Sequence, residues 1–170
     1  KWLGNGNLIP SGPLREKISS LKKYDAVFLK KNNEINDDIK QKIKSNNPKI
    51  EIFDTQYEVQ NLDKFDLSKK YLFFCGIGNP LNFKDTLQKH KFNIVDEIIF
   101  PDHFNYKKKD IKNIKERAKK NDACIITTEK DYVKISLEDK NDINYLGIDL
   151  KIENENKLMK FIVTKLNEVY

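Results

Sequence analysis

Four short segments carry the residues whose types and spacing could perform chemistry. In the first, residues 4–16, three glycines and two prolines precede Arg15 and Glu16. These turns lead into a predicted helix whose free N-terminal N–H groups would attract an anion. An arginine in its first turn favours bidentate binding of phosphate or carboxylate, but pairing of Arg15 with Glu16 or another surface carboxylate is an equally open alternative.

The second segment, residues 74–80, runs from an apolar stretch through Gly76 and Gly78 to Asn79 and Pro80. A strand that enters a glycine turn lets the backbone approach a ligand closely. The segment has neither the Lys-Ser or Lys-Thr of a P-loop nor the third glycine of a dinucleotide fingerprint. Close packing of the strand and helix therefore competes with ligand binding as the reason for the glycines.

The third segment, residues 100–106, places His103 beside Asp102 directly after another apolar stretch. An acid next to an imidazole can orient or charge it, as a general base or proton carrier requires. The alternative is a loop histidine that packs locally. The other histidine, His90, lies at the end of a predicted helix, where it meets the negative end of the dipole, and we assign it no function.

The fourth segment, residues 127–131, reads Thr-Thr-Glu-Lys-Asp. Thr128 and Asp131 have the spacing of a helix capping box, with Asp in place of Glu or Gln. Capping does not account for Glu129 and Lys130, which could contact a phosphate, a metal shell or each other.

The elements that must position these segments form an alternating pattern. The apolar runs predict strands at 25–30, 49–53, 71–75, 93–100, 123–128 and 144–148. The amphipathic or capped stretches predict helices at 14–23, 36–45, 82–89, 109–119 and 156–168. The fold class is therefore α/β, with a mostly parallel sheet between helices in three layers, and ligands are expected at the carboxyl ends of the strands.

Composition limits the remaining possibilities. The length of 170 residues predicts one compact unit, and no apolar run is long enough to cross a bilayer. Cys75 and Cys124 lie in apolar runs, as buried thiols do in a reducing cytoplasm. The net charge of +6 could favour nucleic acid or an anionic membrane, but only Arg15 and Arg117 are arginines among 32 basic residues, which favours a compositional bias towards lysine.

Taken in order, the motifs resemble the tetraacyldisaccharide 4'-kinase family. They read GNG, LIPSGPLRE, FFCGIGNP, FPDHFNY and TTEKDYVK, and the resemblance extends from Gly4 to about Lys134. It implies a kinase that transfers the ATP γ-phosphate to the 4'-position of a tetraacyldisaccharide 1-phosphate in lipid A biosynthesis. One departure is large, because the P-loop motif GxxxxGK[ST] is absent from the 170 residues.

That departure, with a start on Lys1 rather than methionine, predicts the C-terminal half of a two-domain P-loop kinase. Residues 1–24 would leave the missing nucleotide-binding domain, and residues 25–170 would form the substrate-side domain. The missing half would bind most of the ATP and Mg²⁺, so the fragment would be inactive alone and hold no metal itself.

The resemblance also implies roles for individual residues. His103, Arg15 and Glu16 match the catalytic positions of the family. The weaker matches, expected to bind substrate, are Asn79, Thr128, Glu129 and Lys130. We expect a monomer that acts on an acylated disaccharide lipid, without nucleic acid, peripherally at the cytoplasmic face of the inner membrane. The alternatives are a noncatalytic α/β module that binds sugar phosphate or nucleic acid, and a broken reading frame without function.

Overall fold

The computed structural model describes residues 3–31 and 37–169, which divide into two compact units. The split unit comprises Lys1–Glu58 and Leu150–Tyr170, and the central unit comprises Val59–Asp149. The chain length predicted a single unit, so this division differs from the expectation. The domain boundary expected after residue 24 stays a prediction.

The described residues form seven strands and five α-helices. In chain order they are β1 (Ala26–Lys30), α1 (Asp37–Asn46), β2 (Glu51–Val59), β3 (Lys70–Cys75), α2 (Pro80–Lys89), β4 (Asn93–Ile99), α3 (Lys108–Lys120), β5 (Cys124–Thr128), α4 (Glu129–Tyr132), β6 (Ile143–Leu146), β7 (Ile148–Ile152) and α5 (Glu155–Val169). Short 3₁₀ helices lie at Ile18–Lys23, Leu62–Lys64 and Leu137–Asp139.

The central unit is a parallel sheet with the strand order β4-β3-β5-β6. Strand β3 is buried on both faces, so its sequence is an unbroken apolar run rather than an alternating one. Phe73 packs with Phe83 of α2 on one face, and Phe74 packs with Ile111 of α3 on the other. These layers confirm the predicted α/β fold with helices flanking a parallel sheet.

The strand register brings three chain segments to one edge of this sheet. Cys75 at the end of β3 pairs with Ile99 of β4, and Phe74 pairs with Thr127 of β5. Because parallel strands point the same way, the loops that leave β3, β4 and β5 emerge side by side. The predicted segments around Gly76, His103 and Thr128 are these loops.

The split unit has its own sheet, with the strand order β1-β2-β7, in which β1 and β2 are parallel. Helix α1 buries Ile39 and Ile43 against Leu29 and Ile50. Helix α5 belongs to the same unit and places Phe161 edge-on to Phe53 of β2, with ring centroids 5.6 Å apart. These contacts give the unit a small core of its own.

The predicted helix at 14–23 is wrong in type and start. The chain forms only a 3₁₀ helix at Ile18–Lys23, which buries no residue and has no side-chain cap. Arg15 lies in a bend before it, so the predicted position in a first helical turn is not observed. The predicted start of the next helix, Asn36, lies outside the described residues.

Two sequence expectations about thiols and membranes have structural counterparts. Both cysteines are free thiols, and Cys75 is buried in the central core while Cys124 is half-buried. None of the helices in the described part of the chain is long and apolar enough to span a bilayer.

Candidate functional site

The candidate site is the edge of the central sheet where β4, β3 and β5 end. It contains five of the seven predicted site residues, which are Asn79, His103, Thr128, Glu129 and Lys130. The other two, Arg15 and Glu16, belong to the split unit.

Gly76 and Gly78 allow the loop after β4 to lie directly on the turn after β3. A Cβ on buried Gly76 would lie 3.1 Å from the carbonyl oxygen of Pro101 and 3.1 Å from Oη of Tyr106. A Cβ on Gly78 would lie 3.1 Å from Oδ2 of Asp102. The glycines thus serve close packing, as one of the two interpretations proposed, although the partner is the β4–α3 loop rather than the helix that follows.

The backbone of His103 holds its loop, and its side chain is left exposed. Its N–H donates to the carbonyl oxygen of Gly76 at 3.2 Å and to Oδ1 of Asp102 at 2.9 Å. The residue has φ +59°, a left-handed conformation that histidine adopts more readily than most residues. Its imidazole is 77% exposed, and Nε2 lies 3.9 Å from Oδ2 of Asp102, beyond hydrogen-bond distance. The imidazole can therefore contact a ligand at the sheet edge without breaking a hydrogen bond within the described residues.

Asp102 connects the loops after β4 and β5. Nζ of Lys130 lies 3.4 Å from Oδ1 of Asp102, a long contact between two half-exposed side chains. Partial desolvation raises the pKa of Asp102, but the hydrogen bonds from Lys130 and from the His103 amide outweigh it and hold the pKa below its usual range. The carboxylate beside His103 is thus paired with an ammonium group from the next loop.

Thr128 caps α4, as the sequence pattern predicted. Its Oγ1 accepts from the N–H of Asp131 at 3.1 Å and donates to Oδ2 of Asp131 at 2.9 Å. Asp131 is completely buried, and its carboxylate also accepts from the N–H of Gly76 at 2.8 Å and from Nζ of Lys134 at 2.9 Å. Sequence reasoning assigned Asp131 to the cap alone and missed its contact with Gly76, because the two residues are 55 positions apart.

Asn79 and Glu129 have less specific surroundings. Asn79 is the N-cap of α2, and its side chain accepts from the N–H of Asn82 at 3.2 Å. Glu129 is exposed in the first turn of α4 and forms no ion pair with the described residues. The substrate contacts expected of Asn79, Thr128, Glu129 and Lys130 stay predictions.

Arg15 and Glu16 follow a sequence of tight turns in the split unit. Gly4 and Gly6 have positive φ values of +56° and +77°, and a Cβ on Gly12 would overlap Asn5 and Asn7. Both charged residues are exposed. Arg15 makes no ion pair with Glu16 or with another carboxylate within residues 3–31 and 37–169, so the surface-pairing alternative has no counterpart there.

The described residues do not assemble a metal site of their own. In the described ranges, no three His, Cys, Asp or Glu side chains converge as metal ligands would. We therefore derive no step through Mg²⁺ in this chain.

Comparisons with known proteins agree on one family. The model of the tetraacyldisaccharide-1-P 4'-kinase family (LpxK) matches residues 1–167. A tetraacyldisaccharide 4'-kinase from Pelagibacter ubique is 46% identical over 167 residues, which cover 98% of this chain and 53% of that protein. One from Rickettsia bellii is 43% identical, with 97% and 50% covered. The chain thus spans about half the length of these relatives.

A solved structure supports the fold. The chain is similar to LpxK from Aquifex aeolicus in complex with ATP, with a TM-score of 0.61 and 22% identity. The match covers 94% of this chain and 48% of that one.

Proposed function

Because the chain belongs to the tetraacyldisaccharide-1-P 4'-kinase family, we propose that it is the C-terminal part of a lipid A kinase. The complete enzyme would transfer the ATP γ-phosphate to the 4'-position of a tetraacyldisaccharide 1-phosphate. The observation that carries this proposal is the exposed His103 beside Asp102, whose carboxylate also contacts Lys130, at an edge where parallel α/β sheets bind ligands.

These residues suit phosphoryl transfer, which depends on positioning and charge stabilisation more than on covalent chemistry. His103 would hold or move a proton at the sheet edge, where the carboxylate of Asp102 lies beside it. Lys130 would contribute a point-like positive charge to phosphate oxygens at the sheet edge. Arg15 would bind a phosphate through its fork-shaped guanidinium, and Glu16 would be the second charged residue of the same segment to act in the reaction.

ATP and Mg²⁺ would bind mainly to the part of the complete protein that this chain does not include. The 170 residues have no P-loop, and a P-loop cradles the phosphates of ATP in kinases of this type. The chain alone would therefore neither hydrolyse ATP nor phosphorylate the lipid.

The acceptor would be an amphiphilic lipid, so the complete enzyme would act peripherally at the cytoplasmic face of the inner membrane. We also propose that it acts as a monomer. The net charge of +6 would strengthen its attraction to anionic lipid. Nucleic acid is not expected as a partner.

The test measures transfer of labelled γ-phosphate to tetraacyldisaccharide 1-phosphate by the complete protein and by the 170-residue chain. Activity of the complete protein only is the expected result. Activity of the purified chain would contradict the half-enzyme proposal. Binding of a simple sugar phosphate by the chain, with an inactive complete protein, would favour the noncatalytic module instead.

The two arginines provide a matched pair of variants for the same assay. Arg15→Lys should cost about 2 to 4 kcal/mol of transition-state stabilisation, because an ammonium cannot reproduce a bidentate fork. That corresponds to a loss of about 30- to 900-fold in kcat/KM. Arg117→Lys is the control, because Arg117 binds Asp96 within the central unit, and it should leave kcat/KM nearly unchanged. Equal kcat/KM for Arg15→Lys and wild type would show that Arg15 is a surface residue without a role in the reaction.

A further inference from the structure

We propose that Asp131 is a positioning residue of the candidate site, whose buried carboxylate fixes the turn at Gly76 and, through it, the backbone of His103. This inference rests on the proposed function, because it assigns His103 to the reaction. Asp131 itself would touch neither substrate nor ATP.

The surroundings of Asp131 are those of a carboxylate held for a purpose beyond helix capping. Its side chain is completely buried in α4, the short helix that follows β5. A buried carboxylate is stable only when hydrogen bonds and an opposite charge replace its water. The carboxylate accepts three hydrogen bonds, from the N–H of Gly76 at 2.8 Å, from Oγ1 of Thr128 at 2.9 Å and from Nζ of Lys134 at 2.9 Å.

A capping box would use this acid differently. In that motif the acidic side chain accepts from the backbone N–H of the N-cap residue. Here the N-cap is Thr128, and Asp131 accepts from its hydroxyl and from the N–H of Gly76 in the turn after the neighbouring strand β3. The carboxylate therefore joins the end of β5 to the turn after β3, which capping alone does not require.

The connection continues to His103 through a single residue. The N–H of Gly76 donates to Asp131, and the carbonyl oxygen of Gly76 accepts from the N–H of His103 at 3.2 Å. A left-handed residue such as His103 persists only where the surrounding structure over-determines it. Since Gly76 has no side chain to fix its own orientation, the Asp131 carboxylate supplies that constraint from outside.

Tyr106 lies close to both the Asp131 carboxylate and Gly76. Its hydroxyl is buried and has no hydrogen-bond partner in the described residues. Burial first, and then the negative charge of Asp131, raise the pKa of Tyr106 far above its usual value. The phenol thus stays neutral and fills the space over Gly76, where a Cβ would lie 3.1 Å from its oxygen.

The test compares Asp131→Ala and Asp131→Asn in the complete kinase. Loss of the constraint on His103 should lower kcat about 10²-fold in Asp131→Ala, because a displacement of about 1 Å can cost that much. The KM for ATP should stay unchanged. Asp131→Asn keeps an oxygen that can accept from Gly76, so it should recover part of kcat. If Asp131→Ala does not fold, Asp131→Asn carries the kinetic comparison alone.

Thr127→Val is the matched control. Thr127 is also completely buried at the end of β5, and its Oγ1 donates to the carbonyl oxygen of Phe74 at 2.7 Å. The variant loses a buried hydrogen bond between the same two strands without touching Gly76. It should lower the melting temperature comparably and leave kcat within about twofold of wild type, since it removes no constraint on the turn.

A second readout follows the backbone itself. In the ¹H–¹⁵N spectrum of the 170-residue chain, both Asp131 variants should shift the amide signals of Gly76 and His103, and Thr127→Val should leave the His103 signal in place. An unchanged His103 amide in the Asp131 variants, or a loss of kcat no greater than in Thr127→Val, would overturn the proposal.

The two readouts separate this inference from the proposed function. If the wild-type complete protein transfers no phosphate, the proposed function fails, and the amide shifts alone decide whether Asp131 positions His103. If the wild type is active and His103→Ala abolishes activity while the Asp131 variants keep full kcat, only the present inference fails.

Discussion

Replacing His103 with alanine should separate catalysis from folding at this site. The His103 imidazole makes no hydrogen bond to the described residues and is 77% exposed. The structural contacts of the residue come from its backbone N–H, which alanine retains. The remaining cost is the poorer fit of alanine to a left-handed conformation with φ +59°, on the order of 1 kcal/mol or less.

That free energy corresponds to a fall in melting temperature of about 2 to 4 °C for a chain of this size. The effect on the reaction should be far larger, because general acid or base assistance contributes about 10²- to 10⁴-fold. The assay measures kcat and KM for both substrates in the complete kinase, and thermal melting of the 170-residue chain.

Two further variants make the result decisive. His103→Asn keeps a residue that tolerates the left-handed conformation, so its melting temperature should match wild type while kcat falls as in His103→Ala. His90→Ala changes the other histidine, at the C-cap of α2, and should leave kcat alone. A variant His103→Ala that unfolds, or that keeps kcat within about threefold of wild type, would refute the reasoning and make the histidine structural.

Three other predictions concern the chain itself. Arg117→Lys should lower the free energy of unfolding by about 1 kcal/mol in denaturant titrations, because one ammonium cannot keep both hydrogen bonds that the guanidinium donates to Asp96. Cys75 should resist iodoacetamide at pH 8 in the folded chain and react in urea, as mass spectrometry can follow, because burial raises its pKa to about 11. The pKa of Asp102 is lower in the folded chain than in the unfolded one. Its contribution to stability is therefore present above its unfolded pKa of about 3.9 and is lost as the pH falls through the folded value. Asp102→Asn should remove this contribution and flatten the acid side of the plot of unfolding free energy against pH.

Most strands of the central unit were predictable because burial on both faces leaves a clear sequence pattern. The predicted strand at 71–75 differs from the observed Lys70–Cys75 by one residue, since a doubly covered parallel strand is apolar at every position. Strand β7, Ile148–Ile152, was missed because it is mostly exposed and mixes charged and apolar residues. The predicted strand at 49–53 ends too early, since β2 continues to Val59, where it pairs with strands on both sides.

The error at residues 14–23 has a local cause. Pro13 and a run of helix-forming residues favour an α-helix, but an α-helix of this length needs a buried face or caps to be stable. The observed 3₁₀ segment Ile18–Lys23 buries no residue and has no side-chain cap at its N-terminus. At its other end, the side chain of Asn47 donates to the carbonyl oxygens of Leu21 and Tyr24. A contact between positions 26 residues apart thus fixes the end of the segment, and no local pattern reveals it.

The site residues were predictable in kind but not in connection. Strand ends and turn residues identify Gly76, His103 and Thr128 as neighbours, because parallel strands bring their carboxyl ends together. The bond from Gly76 to Asp131 could not be foreseen, since the spacing of Thr128 and Asp131 already had a sufficient local explanation. A residue that satisfies one local motif can therefore also make a long-range contact that the motif conceals.

The use of arginine in this chain gives independent support to a role for Arg15. Lysine supplies 30 of the 32 basic residues, so a bias towards lysine would replace arginine wherever a simple positive charge is enough. Arg117 shows what prevents the replacement, because its guanidinium donates from two nitrogens to the carboxylate of Asp96. Arg15 is exposed and has no such carboxylate in the described ranges. By the same reasoning, we expect Arg15 to bind a bidentate anion from outside these residues, and a phosphate group of the proposed reaction would meet that requirement.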